Sequence, residues 1–363
     1  MRLPWRPQPQ PEPHPPSRTV LADDEPTNYG YTSLNGALRP PWHTHREALQ
    51  NALTLAEQNP LAHRIISLTT DYALGDGPAI TDPWLGAFWH HPLNHMPTRL
   101  PEWSDALAIQ GELFIVLSTN PVDRMTYVRT LPAITIDDIE TDPDDAEHEL
   151  NYHQLTETPE GRYWPAATPD AAEQAVLHFT TNKPIGDVRG RSDLLTFTNW
   201  LDHYETWLLD RVRLNRHRSS HLWHVSIDST DPNAIAAARS RYRNPPPAGS
   251  IIVSAATESW EALHPNIAAD DAQADGHALR MLIAAGAGLP LHYLAEPGDA
   301  NRATAEAMNE PTLRHLQRRQ AELEYILNTV ATHAAARARR TVPPITLPDL
   351  HPPAQPTEET ENE

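Results

Sequence analysis

Cysteine is missing altogether from the 363 residues, which excludes a disulfide framework, a thiolate zinc site, an iron–sulfur cluster and a cysteine nucleophile. A reducing or redox-indifferent location fits. Lysine occurs once, at Lys183, and arginine carries the rest of the basic charge. Basic residues are in deficit overall: 28 Lys and Arg against 48 Asp and Glu leave a formal charge of −20. That balance argues against a general DNA-coating protein, because non-specific affinity comes from neutralising phosphates with cations. Glycine is sparse at 14 residues, whereas the 37 prolines are about twice the usual ~5% share, so loops are numerous and the core is modest. Long apolar runs are lacking too. No window approaches the ~20 residues of a membrane span, and the opening MRLPWRPQPQPEPHPP has none of the ~7–15 apolar residues of a signal peptide. The expectation is a soluble, intracellular protein of two or three folded units, or one elongated protomer of several parts.

Residues 1–24 are Pro-rich and 342–363 alternate proline with acids, ending EETENE. Both read as disordered arms, having too little apolar area to offset ordering entropy. Between them, REALQNALTLAEQNPLAHRIISLTTDYALG predicts two helices broken at Asn59-Pro60 and closed by Gly75 and Gly77. A helix over 102–108 leads through Gly111 into ELFIVLST, a buried strand, followed by MTYVRTL and AITIDDIET in a mainly antiparallel sheet, with Asn120-Pro121 as a turn. From Asp193 the period changes to 3.6. Leu194, Leu201, Leu208 and Leu209 belong to an apolar stripe over 193–220, a helix of roughly 42 Å. A small β-α-β unit follows, built from LWHVSID, the helix NAIAAARSRYR and GSIIVS. Then come a helix over 270–285 and, after LPLHYLAEPGDANR, a long helix over 303–340 interrupted at Pro311. The fold class is α+β.

Each chemical motif has an ordinary explanation beside it. The Gly-rich stretch 186–192 (GDVRGRS) lacks the Gly-Lys-Ser/Thr ending of a P-loop, so a tight turn with Ser192 as a helix N-cap is expected. His90, His91 and His95, with His43 and His45, invite a metal-dependent hydrolase. Pro92, however, breaks the helix that would align them, and no HExxH pattern supports the reading. Asp137, Asp138, Glu140, Asp142, Asp144 and Asp145 lack the sharp-turn glycine of a calcium loop and read as a solvated acidic edge. Arg211, Arg213, Arg216 and Arg218 complement the C-terminal dipole of their helix; a monomeric nucleic-acid-binding protein would use them on phosphates instead. No catalytic motif appears, and no cofactor is called for.

The order of the pieces is more telling than any one of them: a mixed wing, a long helix, a small β-α-β unit, a helix, a polar loop and a long kinked helix. HFTTNKPIGDVRGRSDLL, PPPAGSIIVS, AAGAGLPLHYL and DANRATAEAMNEPTLRHLQRRQ carry it. In this order the chain resembles the portal proteins of tailed bacteriophages. The resemblance implies an elongated protomer with a wing at 25–190, stem helices at 191–220 and 261–288, and a clip at 221–260. It also implies a tunnel loop at 289–302 and a helix over 303–341 running toward a reduced crown. Leu194, Leu201, Leu208 and Leu209 would pack the stem, and Asn233, Arg239, Arg241 and Arg243 would dock the motor. Leu294, Glu296, Gly298, Asp299, Asn301 and Arg302 would line the channel. Portals are rings, typically of twelve subunits, at one capsid vertex. Implied partners are further copies of the chain, the terminase large subunit, the major capsid or scaffolding protein, a head-completion or neck protein, and the double-stranded DNA in the channel. No membrane is implied. The location would be the virion, with assembly in the host cytoplasm, and catalysis would belong to the motor.

Overall fold

The structure, a computed structural model, describes residues 41–142, 144–168, 174–219, 222–242, 258–263, 272–294 and 302–350. Both N-terminal arm and acidic terminus (351–363) lie outside the described residues, as does the GSIIVS segment.

Four helices open the chain: α1 (Trp42–Gln58), α2 (Pro60–Leu74), α3 (Pro83–Trp89) and α4 (Met96–Gln110). The break between the first two is chemical. Asn59 closes α1 through its own N–H to the Leu55 carbonyl, and its side-chain oxygen accepts from the N–H groups of Leu61 and Ala62 to start α2, with Pro60 just inside. Gly111, at φ +74°, ends α4 in the left-handed region and turns the chain into β1 (Glu112–Thr119). β1 is the centre of an antiparallel sheet, flanked by β2 (Thr126–Leu131) and β6 (Gln174–Thr180). A second antiparallel sheet comprises β3 (Ile136–Asp142), β4 (Asp145–Gln154) and β5 (Arg162–Pro165).

The period-2 geometry of β1 explains why its sequence is apolar nearly throughout: both faces are covered. Leu113, Ile115 and Leu117 join α3, α4 and the long helix α8 (Arg302–Arg337) in one core. Phe114 and Val116 face the other way, onto Ile136, Ile139, Tyr152 and Trp164 of the second sheet. A third core lies where α2 meets the stem, around Ile65, Ile66, Leu194, Phe197, Leu201 and Ile283.

The 193–220 segment is not one helix. Ser192 caps a 3-10 turn over Asp193–Thr196, its Oγ accepting from the Leu194 N–H, and α5 proper runs Thr198–Ser219. β7 (Leu222–Ile227), α6 (Pro232–Arg241) and β8 (Glu258–Leu263) form the small unit, in which β7 pairs antiparallel with β8. α7 (Ala272–Ala287) returns along α5, with Gly286 seated against the Phe197 ring. α8 continues through Pro311 as a single helical run, without the expected interruption.

The C-terminal segment departs from expectation. Residues 342–350 are not a free tail but a strap along α8, with Ile345 and Leu347 buried in the first core. A ladder of α8 side chains holds its main chain. Asn328 both donates to and accepts from Ile345, Glu324 accepts from the Leu347 N–H, and Gln320 donates to the Pro348 carbonyl. Their spacing of four places all three on one helix face.

Candidate functional site: the stem and the hub that holds it

The 186–192 loop is a buried wedge between wing and stem. Asp187 folds its tip by accepting from the Val188 and Arg189 N–H groups. Gly190 lies so close to β1 that a Cβ there would meet the Gly111 carbonyl oxygen at 1.8 Å, and one on Gly111 would meet Arg191 main chain at 2.2 Å. Main-chain bonds from Thr181 to Gly111 and from Arg191 to Thr181 fix the crossing.

Arg189 is thereby aimed into the interior, beneath the Trp42 ring. It donates to Glu112 Oε1 at 3.1 Å and to the Ile136 carbonyl at 2.6 Å. The Glu112 side chain has no exposed surface. His45 Nε2 lies 3.0 Å from Glu112 Oε1, and His178 Nε2 lies 3.5 Å from Oε2. On its other side His178 Nδ1 donates to Glu149, which also accepts from the Tyr152 hydroxyl, while its ring stacks on Phe114 at 4.2 Å. Burial alone would raise the Glu112 carboxyl, yet Arg189, His178 and His45 hold it well below the usual carboxylate range. For His178 burial lowers the pKa, but the neighbouring Glu112 and Glu149 carboxylates outweigh it and the net shift is upward. The stem begins one step further along. Asp193 pairs with Arg319 of α8 and accepts from Asn182, so wing, stem and long helix meet at one carboxylate.

Of the four stem leucines, Leu194 and Leu201 are fully buried within the protomer, whereas Leu208 and Leu209 remain 41% and 50% exposed. On the same two helices Trp200, Val212 at 56% and, on α7, Met281 at 53% are exposed as well. Trp207 stacks on Tyr204 and packs across Gly276, which closes the pair on its inner side.

In the small unit Asn233 opens α6, its N–H bonded to the N-cap Asp231. Arg239 is exposed. Arg241 is committed within the unit, 3.5 Å from Glu258, which also accepts from the Tyr242 hydroxyl. Arg243 lies outside the described residues. In the expected tunnel loop, Leu294 ends a 3-10 turn (Leu291–Leu294) and is buried among the stem-root residues, so it anchors the loop and lines no channel within the protomer. Glu296, Gly298, Asp299 and Asn301 lie outside the described residues, and Arg302 begins α8.

The histidine cluster does not converge. His90 ends α3, His95 begins α4 in a left-handed conformation at φ +48°, and His91 accepts from the Leu93 N–H and meets Tyr127. Among the described residues no three His, Asp or Glu side chains come together as a metal would need, so the hydrolase alternative has no ligand set there. The acidic run occupies the exposed hairpin of β3 and β4, where Asp137 pairs with His153. Among the described residues no helix is long and apolar enough to cross a membrane.

No family model and no curated protein matches the chain by sequence. Solved structures do match by fold. A chain in the virion of a native gene transfer agent particle superposes with a TM-score of 0.60 at 16% identity, covering 87% of each chain. One in the neck of the native particle, computed with C12 symmetry, gives 0.56 at 15% identity, over 83% of this chain and 84% of that one. The fold is accordingly a portal-like one, a mixed α/β wing joined to long stem helices.

Proposed function

We propose that the chain is a portal subunit: copies assemble side by side into a ring at one capsid vertex, and the ring is the conduit for DNA entering and leaving the particle. The observation that carries this reading is the uncovered apolar surface of the stem. Trp200, Leu208, Leu209 and Val212 on α5, with Met281 and Leu282 on α7, are exposed, whereas most other large apolar side chains among the described residues are sunk into three cores, with Val122, Tyr163, Ile185 and Tyr325 as the most exposed exceptions. Large apolar side chains left exposed along a helix pair favour a partner, and an identical neighbour supplies one at every step around a closed ring. The fold shared with the gene transfer agent chains agrees, and the neck computed with C12 symmetry supports twelve as the copy number.

In this reading α6 and its flanking strands form the surface that meets the terminase large subunit, with Arg239 as the exposed cation. The 289–302 loop approaches the DNA. The wing faces capsid or scaffolding protein, and a head-completion or neck protein binds after packaging. The ring resides at the portal vertex of the virion after assembling in the host cytoplasm. The chain itself performs no catalysis; the acidic net charge keeps DNA from adhering as it passes, since like charges repel at the short range that salt leaves unscreened. Negative-stain imaging of the purified chain is the test. Rings with a central hole are expected, and only monomers across a range of salt and concentration would overturn the reading.

A further inference from the structure

The last turn of α8 carries a cationic cleft that the ring does not explain. Arg339 and Arg340, with Trp84, Asp82, Ala336 and Thr341, line an open cleft of about 470 Å³ between the end of α8 and the start of α3. Among the described residues neither arginine has an ion pair, on a chain of net charge −20. The Asp82 carboxylate is turned to its own helix, accepting from the Leu85 N–H. One turn back, Arg337 donates to the Leu117 carbonyl and Thr119 while its Nη2 is buried without an acceptor.

The backbone is the sharper clue. α8 ends in a Schellman turn: the Arg340 N–H bonds to the Ala335 carbonyl and the Arg339 N–H to that of Ala336. Arg339 fills the left-handed position, φ +55°, where glycine is the natural occupant and a side chain is strained. A cation that merely offset the helix dipole could sit anywhere in the last turn without that strain. Strain retained at a cationic residue in a cleft indicates that the side chain has a task there.

We propose that this cleft binds the phosphate backbone of double-stranded DNA, at a site apart from the channel. Guanidinium forks match phosphate oxygens in pairs, and Trp84 supplies a rigid wall for them. The long-range repulsion of the acidic chain is screened beyond about 10 Å, so the two exposed arginines of the cleft, Arg339 and Arg340, govern what a polyanion meets at close approach. The cleft lies at the far end of the 36-residue α8 from the 289–302 loop, about 54 Å along the helix.

The test uses the full chain, a fluorescein-labelled 24-base-pair duplex and anisotropy titrations at several salt concentrations. Arg339→Gly with Arg340→Gln should weaken duplex binding about tenfold and lower the salt slope by about 1.8, roughly 0.9 for each lost phosphate contact. Arg339→Gly alone should melt at the same temperature as the parent or higher, since glycine relieves the turn, while still losing affinity. A purely structural arginine would do the reverse. Arg340→Gln, in an exposed position, repeats the binding test should the first variant misfold. Unchanged affinity and slope overturn the proposal. So does a Glu-rich peptide that binds more tightly than the duplex, which would assign the cleft to an acidic protein segment. Imaging the same samples separates this from the ring: rings that ignore duplex sink the cleft alone, and duplex binding without rings sinks only the portal reading.

Discussion

Replacing Glu112 with glutamine changes almost nothing in shape and removes the one carboxylate that Arg189, His45 and His178 share. Arg189 is itself 8% exposed, so its charge would be left buried opposite a neutral amide. Breaking one partner out of a buried pair costs about 3–5 kcal/mol, because the survivor keeps its desolvation penalty without its attraction. With a urea dependence of about 3 kcal/mol per molar, the unfolding midpoint should fall by roughly 1–1.7 M. The assay is urea denaturation followed by far-UV circular dichroism, on parent and variant, at several pH values. The pH limbs carry sign information. The Glu112 pKa is depressed in the fold, so its contribution is present above the unfolded value near ~4.3 and is lost as pH falls toward the folded one. The His178 pKa is raised, so its contribution is complete below ~6.5 and fades as pH rises through the folded value. Glu112→Gln should flatten the acid limb and weaken the alkaline one, since His178 loses one of its two carboxylate neighbours. A midpoint within about 0.3 M of the parent at neutral pH would refute the reasoning, showing that the hub is relaxed by water or rearrangement and holds no uncompensated charge.

On the stem, Leu209→Asp with Val212→Asp should abolish ring formation in light scattering while leaving the circular dichroism spectrum of the protomer intact, because both side chains are at least half exposed. Normal rings would move the interface elsewhere. In the small unit Arg239→Glu alone should leave rings intact and reduce DNA packaging in a reconstituted motor assay, since reversed charge opposes a complementary partner surface; Arg241 is unsuitable because Glu258 already holds it. Asn328→Ala should strand the Ile345 N–H and carbonyl in a half-dry groove, lowering stability by about 1–3 kcal/mol and speeding trypsin cleavage of the Arg340–Thr341 bond at the root of the strap. Proteolysis at the parent rate would mean the apolar anchors suffice.

Local chemistry made the elements legible and long-range chemistry hid the hub. Asn59-Pro60, Gly75 and Gly111 punctuate the helices as their backbone preferences require, and the apolar run of β1 identifies a doubly covered strand. Nothing local marks Glu112 and Arg189 as partners, for they are 77 residues apart and meet because β6 lies beside β1 with Phe114 opposite His178. The one available sign was a lone acid at the head of an otherwise apolar strand, matched by a lone histidine within AVLHFTT. The strap was obscured differently. Its proline and acid content suggests a disordered tail, but Ile345 and Leu347 alternate at strand spacing and their main chain is read by amide and carboxylate side chains from α8. The stem was half legible: its 3.6 period is plain, but the period does not say that Leu194 and Leu201 are used inside the protomer while Leu208 and Leu209 are left outside.

The crossing of Gly190 over Gly111 has a mechanical meaning. Two main chains touch there with no side chain between them, and the bonded pairs on either side join Thr181, Gly111 and Arg191 directly. Side chains can yield to a load by changing rotamer; a backbone contact of this kind cannot. A pull along α5 therefore reaches the 3-10 turn at Asp193–Thr196, then the Arg191 main chain, and then the root of the central strand, with almost no slack. Stem and wing behave as a single lever, stiff at the fulcrum, and compliance has to be found farther out along α5.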